Sequence, residues 1–193
     1  MRGVAIRRQP EEKSMLRLIR CFAAASALLL SSHAFAADAG APAKLVTENL
    51  VVNGTVEHAL TLSVDDLRTF PSRQVTEIVL TRQSGADAGK LENVKGVLLR
   101  NILDKAGLVT HDHNDVKKSI IIASASDGYK AVFSWSELYN SSLGDGVLVY
   151  FEKDGKPLAD DEGHIAMISS KDTRTGPRHV KWLQSIEVRK IAD

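Results

Sequence analysis

From about residue 45 onward, short apolar runs alternate with glycine-containing turns, and no long helical period interrupts them. Asn53-Gly54, Asp127-Gly128 and Asp154-Gly155 suit tight turns, because Gly adopts positive φ freely and Asn or Asp does so at small cost. The runs between them predict strands over 45–52, 55–62, 75–81, 119–125, 129–133, 147–152, 164–169 and 183–191. Helical signals are few and brief. Ser63 followed by Asp66 marks a capped helix start, Val64, Leu67 and Phe70 form one apolar stripe, and Pro71 ends it. Residues 98–106 predict a second helix, with Leu98, Leu99, Ile102 and Leu103 inward and Gly107 closing it. Ser134 with Glu137 repeats the capping pattern for a helix of one or two turns. Segments 82–90, 111–115 and 174–178 read as loops. Many strands, few helices and no regular strand–helix alternation predict a single α+β domain dominated by sheet.

The first 36 residues have a different character. Arg17 and Arg20 precede an apolar run over 21–30, and Ala34-Phe35-Ala36 supplies a small-x-small cleavage site. That order predicts a signal peptide cut after Ala36, followed by a flexible lead-in over 37–47 and a domain over 48–193. The run is too short for a membrane anchor, since crossing roughly 30 Å of hydrocarbon takes about 20 apolar residues. Met15 to Ala36 already forms a complete short signal, so Met15 is an alternative start. Cys21, the sole cysteine, follows Arg20 at the start of the apolar run, which is the wrong place for a lipid anchor. Cleavage would leave a domain with no disulfide and no thiolate, located in the periplasm or secreted. Of 25 Lys and Arg and 24 Asp and Glu, six and two lie before Ala37, which leaves 19 basic against 22 acidic residues. A formal charge of −3 argues against nucleic acid as a partner, and no later stretch is apolar enough to span a membrane.

The strongest local signal is basic. Arg174, Arg178, His179 and Lys181 fall within eight positions, around Gly176-Pro177. Such a cluster could hold a phosphate or another small oxyanion, Arg by a two-pronged hydrogen bond; its plain alternative is a solvated basic loop. His111 and His113, with Asp112 and Asp115, resemble a metal-ligand cluster, but no further ligand is fixed by spacing and a solvated loop is favoured. No metal site is therefore expected. Nucleophilic hydrolysis is poorly supported, because Gly-x-Ser-x-Gly is absent and the chain after Ala36 has no cysteine nucleophile. Asp160, Asp161 and Glu162 are adjacent and read as a solvated acidic loop. Trp135 and Trp182 read as core or cleft-wall aromatics.

The order of several short motifs resembles the sulfite-oxidase-type molybdopterin-binding domain family. They begin with Gly54-Thr55-Val56 leading to Leu60-Thr61-Leu62-Ser63-Val64-Asp65-Asp66-Leu67, then Lys95-Gly96-Val97-Leu98-Leu99 with Ala106-Gly107-Leu108. Ser126-Asp127-Gly128-Tyr129, Phe133-Ser134-Trp135-Ser136-Glu137-Leu138 and Asp154-Gly155-Lys156-Pro157-Leu158 follow, and Arg178-His179-Val180-Lys181-Trp182-Leu183 is the most specific piece. The resemblance covers about residues 48–191 and is greatest to small, exported, stand-alone members. It implies the sheet-rich sulfite oxidase core fold, and molybdopterin as ligand, with its phosphate and pterin held by basic and backbone groups. Arg178, His179 and Lys181 match the family's stretch near that cofactor; Arg82 and Arg174 complete the expected cofactor-binding set.

Two departures bear on chemistry. Catalytic members hold molybdenum through a cysteine just after the strand corresponding to 75–81, where this chain has Thr81-Arg82-Gln83-Ser84-Gly85. Neither Arg82 nor Ser84 replaces the soft sulfur donor. The family's proline-rich strand before the last loop is Gly163-His164-Ile165-Ala166-Met167-Ile168-Ser169-Ser170 here. Arg7-Arg8 offers a twin-arginine pair, but Gln9-Pro10 follows, and general secretion fits the signal better. Two functions follow from the resemblance. One is a molybdopterin-dependent oxidoreductase in which Arg82, Arg178 and Lys181 steer an anionic substrate or hold the pterin phosphate; the missing thiolate weighs against its catalysis. The other is a non-catalytic periplasmic binding or sensing module for a small anion or a protein partner.

Overall fold

The computed structural model describes residues 46–112 and 114–191. The signal segment 1–36, most of the lead-in and His113 lie outside them. Eleven strands and three helices follow in the order β1 (Asn49–Gly54), β2 (Leu60–Ser63), α1 (Val64–Arg68), β3 (Ser72–Thr81), β4 (Asp87–Leu98), α2 (Leu99–Ala106), β5 (Ser119–Ala125), β6 (Lys130–Ser134), α3 (Trp135–Tyr139), β7 (Val147–Lys153), β8 (Lys156–Pro157), β9 (Ala166–Ser169), β10 (His179–Val180) and β11 (Leu183–Lys190). Sheet one runs β2-β1-β11-β5-β6, and sheet two runs β10-β9-β7-β4-β3 with β8 beside β7. Among the described residues, only β1 and β11 pair in parallel. No helix of the described residues is long and apolar enough to cross a membrane.

The main core draws on both sheets. Leu50, Ile121 and Ile186 of sheet one join Val97, Val149 and Met167 of sheet two, with Leu67, Ile102 and Leu138 of the helices packed among them. Leu148, Tyr150, Ala166 and Ile168 belong instead to a second apolar cluster with Ile78, Leu91, Val94 and Leu158. Alternate residues of β7 therefore enter different clusters, as the two-residue strand period requires. That is why 147–151 is buried throughout and reads as one continuous apolar run.

Both capping boxes form. The Ser63 hydroxyl accepts from Asp66 N–H and Ser134 from Glu137 N–H, each carboxylate reaching back to the cap. Asp154 and Gly155, both at positive φ, make the two-residue turn between β7 and β8.

Two expectations need correction. Asn53-Gly54 is the end of β1, not a hairpin turn; β2 begins only at Leu60. Gly54 is required because β11 passes against it: a Cβ there would lie 2.0 Å from the Val188 carbonyl oxygen. Thr55 N–H then donates to that same oxygen at 2.7 Å. Segment 82–90 is not all loop, since β4 starts at Asp87. The outer half of β4 pairs with β3 and is polar apart from the buried Leu91, so it shows no apolar alternation. Its Lys90 ammonium meets Glu77 of β3 at 3.1 Å and also pairs with Glu92.

Candidate functional site

The chain crosses from sheet two to sheet one between β10 and β11, through Lys181 and Trp182. Trp182 takes a positive φ of 49°, a strained conformation for a bulky residue, and its surroundings hold it there. Its N–H donates to the Glu162 carbonyl at 2.8 Å, its indole Nε1 donates to the Asp160 carbonyl at 2.7 Å, and its own carbonyl accepts from Ser126 N–H at 3.0 Å. Gly163 gives the necessary room, because a Cβ there would come within 2.8 Å of Trp182 Cα. Asp127, Tyr129, Gly176, His179, Lys181 and Trp182 line a cleft of about 250 Å³ at this corner.

The loop before β10 is pinned to β3. Thr175 is buried; its hydroxyl accepts from Thr81 N–H at 2.9 Å and donates to the Val79 carbonyl at 2.8 Å. Gly176 packs so closely that a Cβ would lie 2.9 Å from the Thr81 oxygen. The Arg174 guanidinium lies over Gly85, whose added Cβ would be 2.8 Å from Nη2. The 82–86 and 174–176 loops therefore abut; Arg82 and Arg174 are both exposed there, and neither is among the residues lining the cleft. Tyr129 closes the other side by donating its hydroxyl to the Pro177 carbonyl at 2.7 Å.

The five residues expected from the sequence play different parts. Arg178 does not line the cleft. Its Nε and Nη2 donate to the two oxygens of Asp172 at 2.6 and 2.5 Å, and Nη1 donates to Glu137 at 3.1 Å. Its guanidinium carbon also sits 4.5 Å from the centre of the Phe133 ring, a cation–π contact. Lys181 does line the cleft. Its ammonium has no ion pair among the described residues; it lies 3.4 Å from the Asp161 carbonyl and 5.9 Å from the Trp182 ring centre. His179 is among the residues that line the cleft, and its Nε2 lies 2.8 Å from the buried Tyr150 hydroxyl. Burial pushes the His179 pKa down to about 4, against the attraction of Glu162, so the ring is uncharged at neutral pH.

Behind His179 stands a group of residues that no sequence pattern connects. Tyr150 donates to Glu162 Oε2 at 3.3 Å, and the Lys153 ammonium pairs with Glu162 Oε1. Tyr150 is hidden in an apolar strand, and Glu162 in a run of three carboxylates that reads as solvated. Only Glu162 of the three is buried. Asp127 and Tyr129 were within reach of sequence reasoning as a motif, though not as a cleft wall.

Other candidates are less coherent. His111 is exposed, and its backbone N–H donates to Asp115, which also pairs with Lys190; those bonds hold the Asp115 carboxyl down to about 2. No three metal-ligating side chains come together among the described residues. A cleft of about 220 Å³ beside β3 includes Arg73, Glu77, Asp145 and Lys171, and is more enclosed than the corner cleft. Its Asp145 is already shared by Arg100 and Lys171 at 2.8 and 3.7 Å, while its Arg73 has no ion pair among the described residues.

Comparison with known proteins agrees with this architecture. No curated protein matches the sequence. Among solved structures, the sulfane dehydrogenase SoxCD from Paracoccus pantotrophus matches with a TM-score of 0.56 and 19% identity, over 75% of this chain and 38% of that one. The likeness is one of fold, and this chain spans well under half of that protein's length. Residues 38–192 match the family described as the oxidoreductase molybdopterin binding domain. The chain therefore belongs to that family, with its sheet-rich fold in a single domain.

Proposed function

We propose that this protein uses a molybdopterin-domain fold to bind a small anion, a pterin phosphate included, and not to run chemistry at a protein-held metal. The observation that carries this reading is the Lys181 ammonium at the wall of the cleft, held only by a long bond to the Asp161 carbonyl and with no carboxylate partner among the described residues. A cation in that position offers a charge-assisted bond to an incoming oxyanion. Arg178, committed to Asp172 and Glu137, shapes the loop and leaves the ligand to its neighbours.

The donor set does not fit a molybdenum atom held through protein sulfur. Residues 46–191 contain no cysteine, and the segment 81–85 offers hydroxyl, amide and guanidinium groups only. No reaction step is therefore assigned to that metal. The phosphate-bearing part of the cofactor is better matched, since Lys181, Arg174 and Arg82 all carry positive charge. The signal-like order of residues 17–36 supports an export route and a place of action in the periplasm.

The test is to purify the protein from a host replete in molybdenum cofactor and to measure molybdenum and pterin per chain. Less than one-tenth equivalent of molybdenum is expected. A stoichiometric amount would sink the binding reading in favour of an oxidoreductase. Lys181→Ala is expected to weaken phosphate binding about tenfold, the cost of one charge-assisted hydrogen bond, in calorimetric titration.

A further inference from the structure

A buried series of hydrogen bonds runs from the cleft through sheet two, and it has a direction. Lys153 pairs with Glu162, whose carboxylate oxygens can only accept. Tyr150 is wholly buried and has one hydroxyl proton. Burial and the nearby Glu162 hold that phenol far from ionising. The proton goes to Glu162, the charged and stronger acceptor, 3.3 Å away. The Tyr150 oxygen then turns only lone pairs towards His179 Nε2 at 2.8 Å, so Nε2 supplies the hydrogen of that bond. An uncharged imidazole has a single N–H. Nδ1 is left with a bare lone pair, and it has no hydrogen-bond partner among the described residues of the cleft.

We propose that this relay makes the cleft selective for an oxyanion that still carries a proton, the class of hydrogen phosphate, over aprotic oxyanions such as sulfate. The inference rests on the anion-binding reading above. Lys181 supplies attraction to either kind of ligand. His179 Nδ1 accepts a bond from a ligand hydroxyl and opposes its lone pair to an aprotic oxygen. Asp127, on the same cleft, is a second acceptor with the same bias; one of its oxygens already accepts from Tyr129 N–H at 2.8 Å. Tyr150 and Glu162 are positioning residues here: they touch no ligand and act by deciding which imidazole nitrogen carries the hydrogen.

The experiment titrates inorganic phosphate and sulfate into the full protein at matched ionic strength, and reads the His179 tautomer from imidazole ¹⁵N shifts. The expected result is phosphate bound about tenfold more tightly than sulfate, with the hydrogen on Nε2. Glu162→Gln is nearly isosteric and gives Tyr150 a donor amide. The Tyr150 proton then turns to Nε2, the ring hydrogen moves to Nδ1, and the phosphate preference falls to about one or reverses. Tyr150→Phe serves as a second variant and also removes the preference. Equal binding of both anions by the unaltered protein, or a hydrogen found on Nδ1, overturns the inference and leaves the anion reading intact. Binding of neither anion, with the hydrogen still on Nε2, overturns the anion reading and the ligand class with it.

Discussion

Arg178 carries its charge against two carboxylates and an aromatic face, with only 19% of its side chain exposed. Its removal acts on stability first. Asp172, with 9% side-chain exposure, would be left without its fork of two bonds, and Glu137 would lose the link between α3 and the loop before β10. Arg178→Ala is expected to cost about 2–4 kcal/mol in urea unfolding, somewhat less than breaking a fully buried pair, because the Glu137 side chain stays 40% exposed. Arg178→Lys should recover little, because an ammonium cannot reproduce the fork. His179 gives the residue scale its pH dependence. Its pKa lies near 4 in the fold, well below the ordinary 6.5, because burial disfavours the charged ring. Between those values the unfolded chain takes up a proton that the folded chain refuses. The stability tied to the neutral ring is therefore complete above about pH 6.5 and is lost as pH falls towards 4, by about 2–3 kcal/mol in all. Denaturation midpoints measured from pH 7 to pH 4 should show that slope, and His179→Asn should flatten it. Asp115 acts in a separate and lower window, between its ordinary 3.8 and about 2, where protonation ends its bonds to Lys190 and His111.

At the scale of elements, the junction of β4 with β7 sets a strict demand. Gly96 lies where β4 shifts register against β7, and a Cβ there would come 2.2 Å from the Val149 carbonyl oxygen and 2.6 Å from Tyr150 Cα. Its need for glycine is one of close approach. Gly96→Ala is expected to cost about 3 kcal/mol or more, at the upper end for overpacking, because the obstacle is backbone and cannot swing aside. Gly128 is the contrast: nothing lies within 4 Å of an added Cβ, although its φ is +91°. Gly128→Asn should therefore be tolerated within about 1 kcal/mol, since Asn adopts positive φ at small cost. The elements that the sequence announced are those whose signals are local. Ser63 with Asp66 and Ser134 with Glu137 satisfy backbone groups three residues away, and Asp154-Gly155 needs only its own dihedrals. The outer half of β4 escaped because, apart from the buried Leu91 opposite Ile78, cross-strand charges rather than an alternating apolar face accompany its pairing. Gly54 misled because it serves the approach of β11, a strand more than a hundred residues away in sequence. The site divides in the same way. His179 and Lys181 were legible from composition and motif order, whereas Tyr150 and Glu162 matter only through partners that the fold brings to them.

The whole molecule ties its two sheets together in a way that bears on how it unfolds. The main core takes side chains from both sheets and all three helices, so opening either sheet exposes it, while sheet two alone carries the second cluster on its other face. The second cluster shares β7 and β9 with that core, one face of each strand going to each cluster. Lys181 and Trp182 are all that separates β10 in one sheet from β11 in the other, so opening the corner cleft strains both. One cooperative transition is therefore expected, as for small single domains generally. The two tryptophans can check it independently. Trp135 packs against the main core and stacks on Tyr139 with ring centres 5.1 Å apart, while Trp182 reports on the corner cleft. With Trp135→Phe and Trp182→Phe each leaving one emitter, both fluorescence curves should coincide with far-ultraviolet circular dichroism along a urea titration, once each variant's own stability is taken into account. A Trp182 transition well before that of Trp135 and of the secondary structure would mean that the cleft opens alone. The cleft would then be a local, low-stability region rather than part of the rigid frame on which His179 and Lys181 depend.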